Sequence, residues 1–116
     1  METPKFKVEF LEEATEFLAN LDEKVRDKII YNISKARFSS DKELFKKLND
    51  EIWEFRTHYN KTQYRLFAFW DKSGTTDTVV ISTHGLTKKT DRTPQGDLNK
   101  AERLRKNYFE HKDKNE

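Results

Sequence analysis

Apolar residues near the N-terminus change their spacing, which predicts a strand followed by two helices. Between Lys5 and Phe10 they alternate, as on one face of a short β-strand. From Leu11 to Leu21 they recur every three or four residues, as on one side of an α-helix. Asp22 can cap a second helix. The apolar stripe of that helix is Val25, Ile29, Ile33 and Ala36. The connection is short, so we expect the two helices to form an antiparallel hairpin.

The middle of the chain predicts a sheet. Three runs of strand-forming residues, 52–57, 63–70 and 78–86, are separated by short polar segments. Strands linked in this way pair as an antiparallel meander, and the N-terminal strand should add to one edge. We therefore predict an α+β fold in which a helical hairpin packs on a mainly antiparallel four-stranded sheet of order β-α-α-β-β-β. One domain should span residues 1–116.

Two further helical segments flank the predicted meander. Ser40 and Glu43 have the spacing of a capping box, so we expect one or two helical turns over residues 41–47. Thr93-Pro94 is typical of a helix start, and Asp97 offers a second possible start. The apolar spacing that follows predicts an amphipathic C-terminal helix.

Composition limits the kinds of protein that the chain can be. Of its 116 residues 34% are hydrophobic and 38% are charged, so the core must be thin and must rely on its 15 Phe, Tyr and Trp residues. No apolar run is long enough to span a membrane, and the N-terminus does not have the pattern of a signal peptide. Cysteine is absent. We therefore expect a cytoplasmic protein without membrane association.

The net charge of +2 conceals two unlike halves. Residues 1–55 carry 10 Lys or Arg and 13 Asp or Glu, whereas residues 56–116 carry 13 and 8. The basic half is where a polyanionic ligand is expected. Solvated helix faces would account for the same charges without a ligand.

Several common classes of site are disfavoured. The histidines His58, His84 and His111 are far apart in the chain and lack carboxylates at metal-binding spacing. The three glycines do not form a phosphate-binding loop, and no nucleophile elbow is present. We expect neither a metal nor an organic cofactor.

Cations and aromatic residues on the predicted sheet suit a phosphodiester substrate better. Arg56 ends one strand and Arg65 begins the next, so the two can approach across a hairpin. Guanidinium groups bind phosphate oxygens and stabilise the charge of a phosphoryl transition state. Further cations follow the last strand, namely Lys88, Lys89 and Arg92. The candidates for proton transfer are His84, Tyr64 and Tyr59.

Structural roles explain the same residues. Arg56 and Arg65 can pair with Glu54 or Asp71. A lone histidine on a strand is often a hydrogen-bonded structural residue, which applies to His84. The aromatic residues of the predicted strands are more typical of a core than of a base-stacking surface.

Four short segments between Leu48 and Tyr108 form a pattern that none of them carries alone. They are Ile52-Trp53-Glu54-Phe55-Arg56, Tyr64-Arg65-Leu66-Phe67, His84-Gly85-Leu86-Thr87-Lys88-Lys89-Thr90, and Thr93-Pro94 followed by Leu98, Ala101, Arg105 and Tyr108. Their order and spacing resemble those of phage-derived HigB-type toxins within the RelE/ParE toxin–antitoxin superfamily. The predicted order of elements agrees with the fold of that superfamily.

The resemblance implies a ribosome-dependent mRNA endonuclease that uses no metal. In such toxins the ribose 2′-hydroxyl attacks the adjacent phosphate while protein cations hold that phosphate. Arg65 would clamp the scissile phosphate. Charge stabilisation would come from Arg56 and Lys88, proton transfer or positioning from Tyr64 and His84, and RNA binding from Lys89, Arg92 and Lys61. The chain has Glu54 where RelE-like enzymes carry lysine, so the general base stays unassigned.

The resemblance also implies partners. Toxins of this kind are held by a cognate antitoxin, in the HigB group usually a small helix-turn-helix protein of the HigA type, and they act on the ribosome and mRNA. Two alternatives stay open at this point. One is a ParE-like inhibitor of DNA gyrase, because the fold does not determine the function. The other is a module that binds an antitoxin without catalysis.

Overall fold

A five-stranded sheet with helices on both faces makes up the part of the chain that the structure, a computed structural model, describes: residues 3–74, 78–88 and 93–114. The strands are β1 (Lys7–Phe10), β2 (Phe45–Lys47), β3 (Trp53–Tyr59), β4 (Thr62–Asp71) and β5 (Val79–Lys88). The helices are α1 (Glu12–Ala19), α2 (Glu23–Ala36) and α3 (Gln95–Lys114). None of these helices combines the length and the apolar character needed to cross a bilayer.

The sheet is mixed and has one strand more than predicted. Its order is β1-β5-β4-β3-β2. The antiparallel meander of β3, β4 and β5 is confirmed, each strand lying within one or two residues of its predicted bounds. The N-terminal strand is confirmed at an edge, where it pairs in parallel with β5.

The prediction of helical turns over residues 41–47 is wrong for the second half of that segment, which forms the extra strand β2. The side chain of Asp41 accepts a hydrogen bond from the backbone N–H of Glu43 at 2.8 Å, which closes a turn instead of starting a helix. Phe45 then stacks on Phe55 across the strand pair, with ring centroids 4.4 Å apart. Burial of an aromatic pair favours the strand over a local capping pattern.

The first two helices cover one face of the sheet, with α1 over β5 and α2 over β3. Asp22 caps α2 as predicted, because its side chain accepts a hydrogen bond from the N–H of Lys24. The four residues of the predicted stripe of α2 are all buried. They pack against the sheet residues Phe55, Leu66, Ala68 and Val80.

The third helix covers part of the opposite face. It begins at Gln95, directly after the predicted proline start. Ala101 is fully buried there beside Phe67, Phe69 and Ile81. Toward the β3–β4 turn the residues of the same sheet face are polar. The apolar residues of α3 do not pack on that end of the sheet.

Gly85 of β5 lies beneath the ring of Phe17 from α1. A Cβ atom at Gly85 would stand 2.6 Å from Cε2 of Phe17 and closer still to two other ring atoms. Gly96, in the first turn of α3, has open space around the same position. The absence of a side chain at Gly85 is therefore what lets α1 approach β5.

Asp71, at the end of β4, ties α3 to the sheet. Its carboxylate accepts hydrogen bonds from Tyr108 at 2.6 Å and from Lys112 at 2.7 Å, and also from Ser73. Burial by itself raises the pKa of Asp71, but these hydrogen bonds outweigh burial and hold the pKa well below its ordinary value. The ionised form of Asp71 is thus stabilised by folding.

We predict that Gly85→Ala destabilises the fold and Gly96→Ala does not. The first substitution forces the Phe17 ring aside, which costs about 1–3 kcal/mol of unfolding free energy. The second adds a methyl group in open space and should be neutral or stabilising by up to about 1 kcal/mol. Urea unfolding followed by circular dichroism checks both. Equal stability of the two variants would contradict the close approach of α1 to β5.

We predict that Asp71→Asn lowers stability at neutral pH and flattens its dependence on acid pH. Because the pKa of Asp71 is lower in the folded state, its contribution is fully present above about pH 4 and is lost as the pH falls below that value. Melting temperatures between pH 7 and pH 3 measure this. The exposed Asp27 supplies the control. The prediction would be contradicted if D27N changed the fall in melting temperature toward pH 3 as much as D71N does.

Candidate functional site

The β3–β4 hairpin brings the two candidate arginines together. Arg56 and Arg65 are directly paired across the strands, on the sheet face that α3 partly covers. The hairpin turn consists of Asn60 and Lys61, whose φ values of 49° and 63° are both in the left-handed region, as in a type I′ turn. This two-residue turn determines the register, so it also determines that the two arginines meet.

Glu54 lies between the two guanidinium groups. Nη1 of Arg65 lies 2.8 Å from Oε1 and 2.7 Å from Oε2 of Glu54, and Nε of Arg56 lies 3.7 Å from Oε2. Arg65 and Glu54 are 2% and 1% exposed, whereas Arg56 is 23% exposed. One carboxylate thus offsets the repulsion between two cations, and of the two pairing partners considered from the sequence it is Glu54 that the arginines use.

Gln63 and Thr93 also contact Arg65. Nη2 of Arg65 donates to Oε1 of Gln63 at 2.6 Å, and Nη1 lies 3.4 Å from Oγ1 of Thr93. Thr93 directly precedes Pro94 and α3, so the loop before the helix reaches the same guanidinium. The Arg65 side chain is therefore held in place from both strands and from the loop.

A small cleft opens above these residues. It has a volume of about 140 Å³. Its lining residues are Glu43, Arg56, Thr57, His58, Gln63 and Arg65. Arg56 is half-buried and His58 is exposed, so a cation and an imidazole are both accessible at its mouth. A cleft of this size and charge suits a single phosphate group.

His84 belongs to the same sheet face but is closed off from the cleft. Its ring stacks on Phe67 with centroids 4.8 Å apart, and its nitrogens lie 2.9 Å from Oγ1 of Thr83 and 3.1 Å from Oδ1 of Asp97. Burial lowers the pKa of His84, and the hydrogen bond with Asp97 only partly opposes this effect. In this arrangement His84 links β5 to the first turn of α3.

The other candidate residues are distributed unevenly. Tyr64 lies on the opposite sheet face, where it packs against the core beneath α1 and α2, so the structure does not bring it to Arg65. Lys88 ends β5, opposite Gln63 and next to the cleft strand. Lys61 is exposed in the hairpin turn. Lys89 and Arg92 lie outside the described residues.

Three residues on which this site depends were missed as site residues in the sequence. Glu54 was considered only as an ion-pair partner, His58 only as a possible metal ligand, and Gln63 was not considered. The signal for Glu54 is a carboxylate between Trp53 and Phe55 in a strand, at a position that alternation places on the same face as Arg56. Within residues 3–74, 78–88 and 93–114, no three histidine, aspartate or glutamate side chains are grouped as metal ligands would be.

Comparison with known proteins identifies the family. None of the curated proteins compared with the chain is similar enough to count as a match. The family described as "Phage derived protein Gp49-like (DUF891)" matches residues 16–106, which run from α1 into α3 and include Arg56 and Arg65. The chain therefore belongs to the Gp49-like family of phage-derived proteins, a family known for toxins of the RelE/HigB type.

Proposed function

We propose that the chain is the toxin of a type II toxin–antitoxin system and cleaves mRNA on the ribosome. The observation that carries this proposal is the pair of arginines at a cleft of phosphate size, in a chain of this family. In the proposed reaction the ribose 2′-oxygen forms a bond to the adjacent phosphorus. The bond from phosphorus to the 5′-oxygen breaks, leaving a 2′,3′-cyclic phosphate and a 5′-hydroxyl.

The two arginines have different parts in this proposal. Arg56 is the accessible cation, and its guanidinium contacts the phosphate oxygens directly. Arg65 is held by Glu54 and Gln63, so its charge is fixed at the base of the cleft before substrate arrives. A preorganised cation stabilises the charge that develops on a phosphoryl group without reorganising during the reaction.

His58 is the better placed of two histidines for proton transfer. It lines the cleft and is exposed, whereas the ring of His84 is buried and both of its nitrogens are engaged. Histidine is the side chain used most often for proton transfer in enzymes. We propose that His58 exchanges a proton with the 2′-hydroxyl or the leaving 5′-oxygen, and that His84 positions α3 beside the site.

Additional cations extend the site toward the RNA backbone. Lys61 projects from the hairpin turn, and Lys88 ends the neighbouring strand. In the proposal they bind mRNA or ribosomal RNA phosphates, together with Lys89 and Arg92. Family membership supports a cognate antitoxin as the partner that holds the toxin inactive, and the proposed location of action is the cytoplasm.

The experiment that tests the function combines induced expression with mapping of mRNA 5′ ends. The proposal expects growth arrest accompanied by new 5′ ends within translated frames, and cleavage by the purified chain only when ribosomes are present. Arrest with intact mRNA and inhibited DNA supercoiling would contradict it in favour of gyrase. Normal growth at full expression would favour a binding module.

We predict that replacing either accessible side chain of the cleft, by Arg56→Ala or His58→Asn, lowers the cleavage rate on ribosomes by about 10²-fold. His58 is exposed, and Arg56 has a long contact of 3.7 Å with Glu54, so the unfolding free energy should change by about 1 kcal/mol or less. Arg103→Ala, which removes an exposed arginine of α3, is the matched control. Unchanged cleavage in R56A would remove Arg56 from the site.

We predict that the Arg65→Ala variant is so unstable that a loss of cleavage in this variant alone would not identify a role for Arg65. It leaves Glu54 buried without its ion-pair partner, at a cost of about 3–5 kcal/mol. A double variant, Glu54→Met with Arg65→Leu, removes both charges and should recover most of that stability. Urea unfolding measures the recovery, and ribosome-dependent cleavage is measured on the same sample. A folded double variant that still cleaves would contradict the role of Arg65.

A further inference from the structure

A groove with two tryptophans lies beside the ends of β3 and β4 that are away from the β3–β4 turn. Two clefts, of about 530 Å³ and 480 Å³, share Lys47, Trp53 and Trp70 as lining residues. Trp53 pairs with Lys47 across β2 and β3, at the β2 edge of the sheet. We call the two connected clefts the tryptophan groove. Each of the two volumes by itself is within the range of about 300–1,000 Å³ that is usual for ligand sites.

Aromatic rings form the floor of the tryptophan groove. Trp53 and Trp70 meet edge to face, with centroids 5.6 Å apart and planes at 72°. Phe45 supports Trp53 from below in a stacked arrangement at 4.8 Å. Phe45 is buried, whereas both tryptophans are half-buried and line the groove from two sides. Half-buried rings that are fixed by such contacts give a further flat ring a preformed apolar surface.

Lysines outnumber acidic residues around the tryptophan groove. The lysines that line it are Lys5, Lys42, Lys46, Lys47 and Lys72, and the acidic residues are Asp41, Asp50 and Glu51. The charge of one of these carboxylates is offset, because Glu51 pairs with Arg105 at 3.0 Å. Nζ of Lys72 lies 5.2 Å from the centre of the Trp70 ring. The charge of the groove therefore suits an anion.

We propose that the tryptophan groove binds single-stranded RNA, with bases against the two tryptophans and phosphates on the lysines. Rings for stacking combined with cations for the backbone are the requirements of single-strand binding. Bases within a duplex are stacked on one another and do not offer their faces to protein rings. This inference rests on the proposed function, since it names a second place where the chain holds its RNA substrate.

The two places would hold different parts of one transcript. Trp53 and Trp70 lie on the sheet face beneath α1 and α2. Arg56 and Arg65 lie on the face that α3 partly covers. The groove therefore cannot position the scissile phosphate directly. It holds a flanking single strand, and stacking makes this contact tolerant of sequence.

The chain contains two tryptophans, and both lie in the tryptophan groove, so fluorescence excited selectively at tryptophan, and not at the four tyrosines, reports on this place alone. We expect a single-stranded oligouridine of twelve nucleotides to quench that fluorescence in the full chain. With about three phosphates neutralised, the logarithm of the binding constant should fall with the logarithm of salt concentration with a slope of about −2. A Lys42→Glu, Lys47→Glu double variant should bind about tenfold more weakly or worse.

The matched control places the same charge change elsewhere. Lys24 and Lys28 are exposed in the first two turns of α2, and a Lys24→Glu, Lys28→Glu variant should bind RNA like the unmodified chain. Equal weakening in both double variants would overturn the proposal, because only the net charge would then matter. Absence of quenching by RNA, or stronger quenching by polyglutamate than by RNA, would also overturn it, the latter in favour of an acidic protein.

Cleavage on ribosomes, measured with the same proteins, separates this inference from the proposed function. Quenching that depends on Lys42 and Lys47 in a chain that cuts no mRNA would support the groove and contradict the nuclease proposal. Cleavage without any such quenching would do the reverse.

Discussion

Glu54 and Arg65 are nearly inaccessible to solvent, and the rest of the candidate site depends on their pairing. A buried charge without a partner costs several kcal/mol, so the folded chain tolerates these residues only where β3 and β4 keep their observed register. A shift by one residue would move Arg65 to the other face of the sheet, into the apolar core beneath α1 and α2. The ion pair therefore contributes to the specificity of the fold and also places a cation below the cleft.

The contacts of α3 set the limits of that site. Asp71 holds the C-terminal part of the helix through Tyr108 and Lys112, and His84 holds its first turn through Asp97. Between these two anchors, the apolar residues of α3 cover the sheet. Between the first turn of α3 and the β3–β4 turn, the side chains on this sheet face are polar. The position of the helix thus decides which part of the sheet can meet a substrate.

The two faces of the sheet offer different chemistry. On the α3 side, several charged side chains line a cleft that is large enough for one phosphate. At the β2 edge of the other face, aromatic rings and lysines line a wider groove. In the proposed function one RNA strand uses both kinds of contact, with charge at a single phosphate for cleavage and stacking over several nucleotides for retention of a flexible strand.

Local and periodic features of the fold were predictable from the sequence alone. The meander, the stripe of α2, its Asp22 cap and the start of α3 depend on neighbouring residues, and all were predicted correctly. The adjacency of Arg56 and Arg65 follows from the length of one hairpin. The strand β2 was missed because its stability comes from Phe45 packing on Phe55, a contact between segments that no local pattern contains.

Tertiary structure alone decided which charged residues are accessible. From the sequence, Arg65 was expected to clamp the phosphate with Arg56 as a supporting cation, and His84 was proposed for proton transfer whereas His58 was not. Burial depends on which element covers each position, so only the packed fold shows that Arg65 and His84 are enclosed while Arg56 and His58 face the cleft. The residue types of the site and the pairing of its strands were thus encoded locally. The solvent exposure of each side chain was determined by the long-range packing of α3 against the sheet.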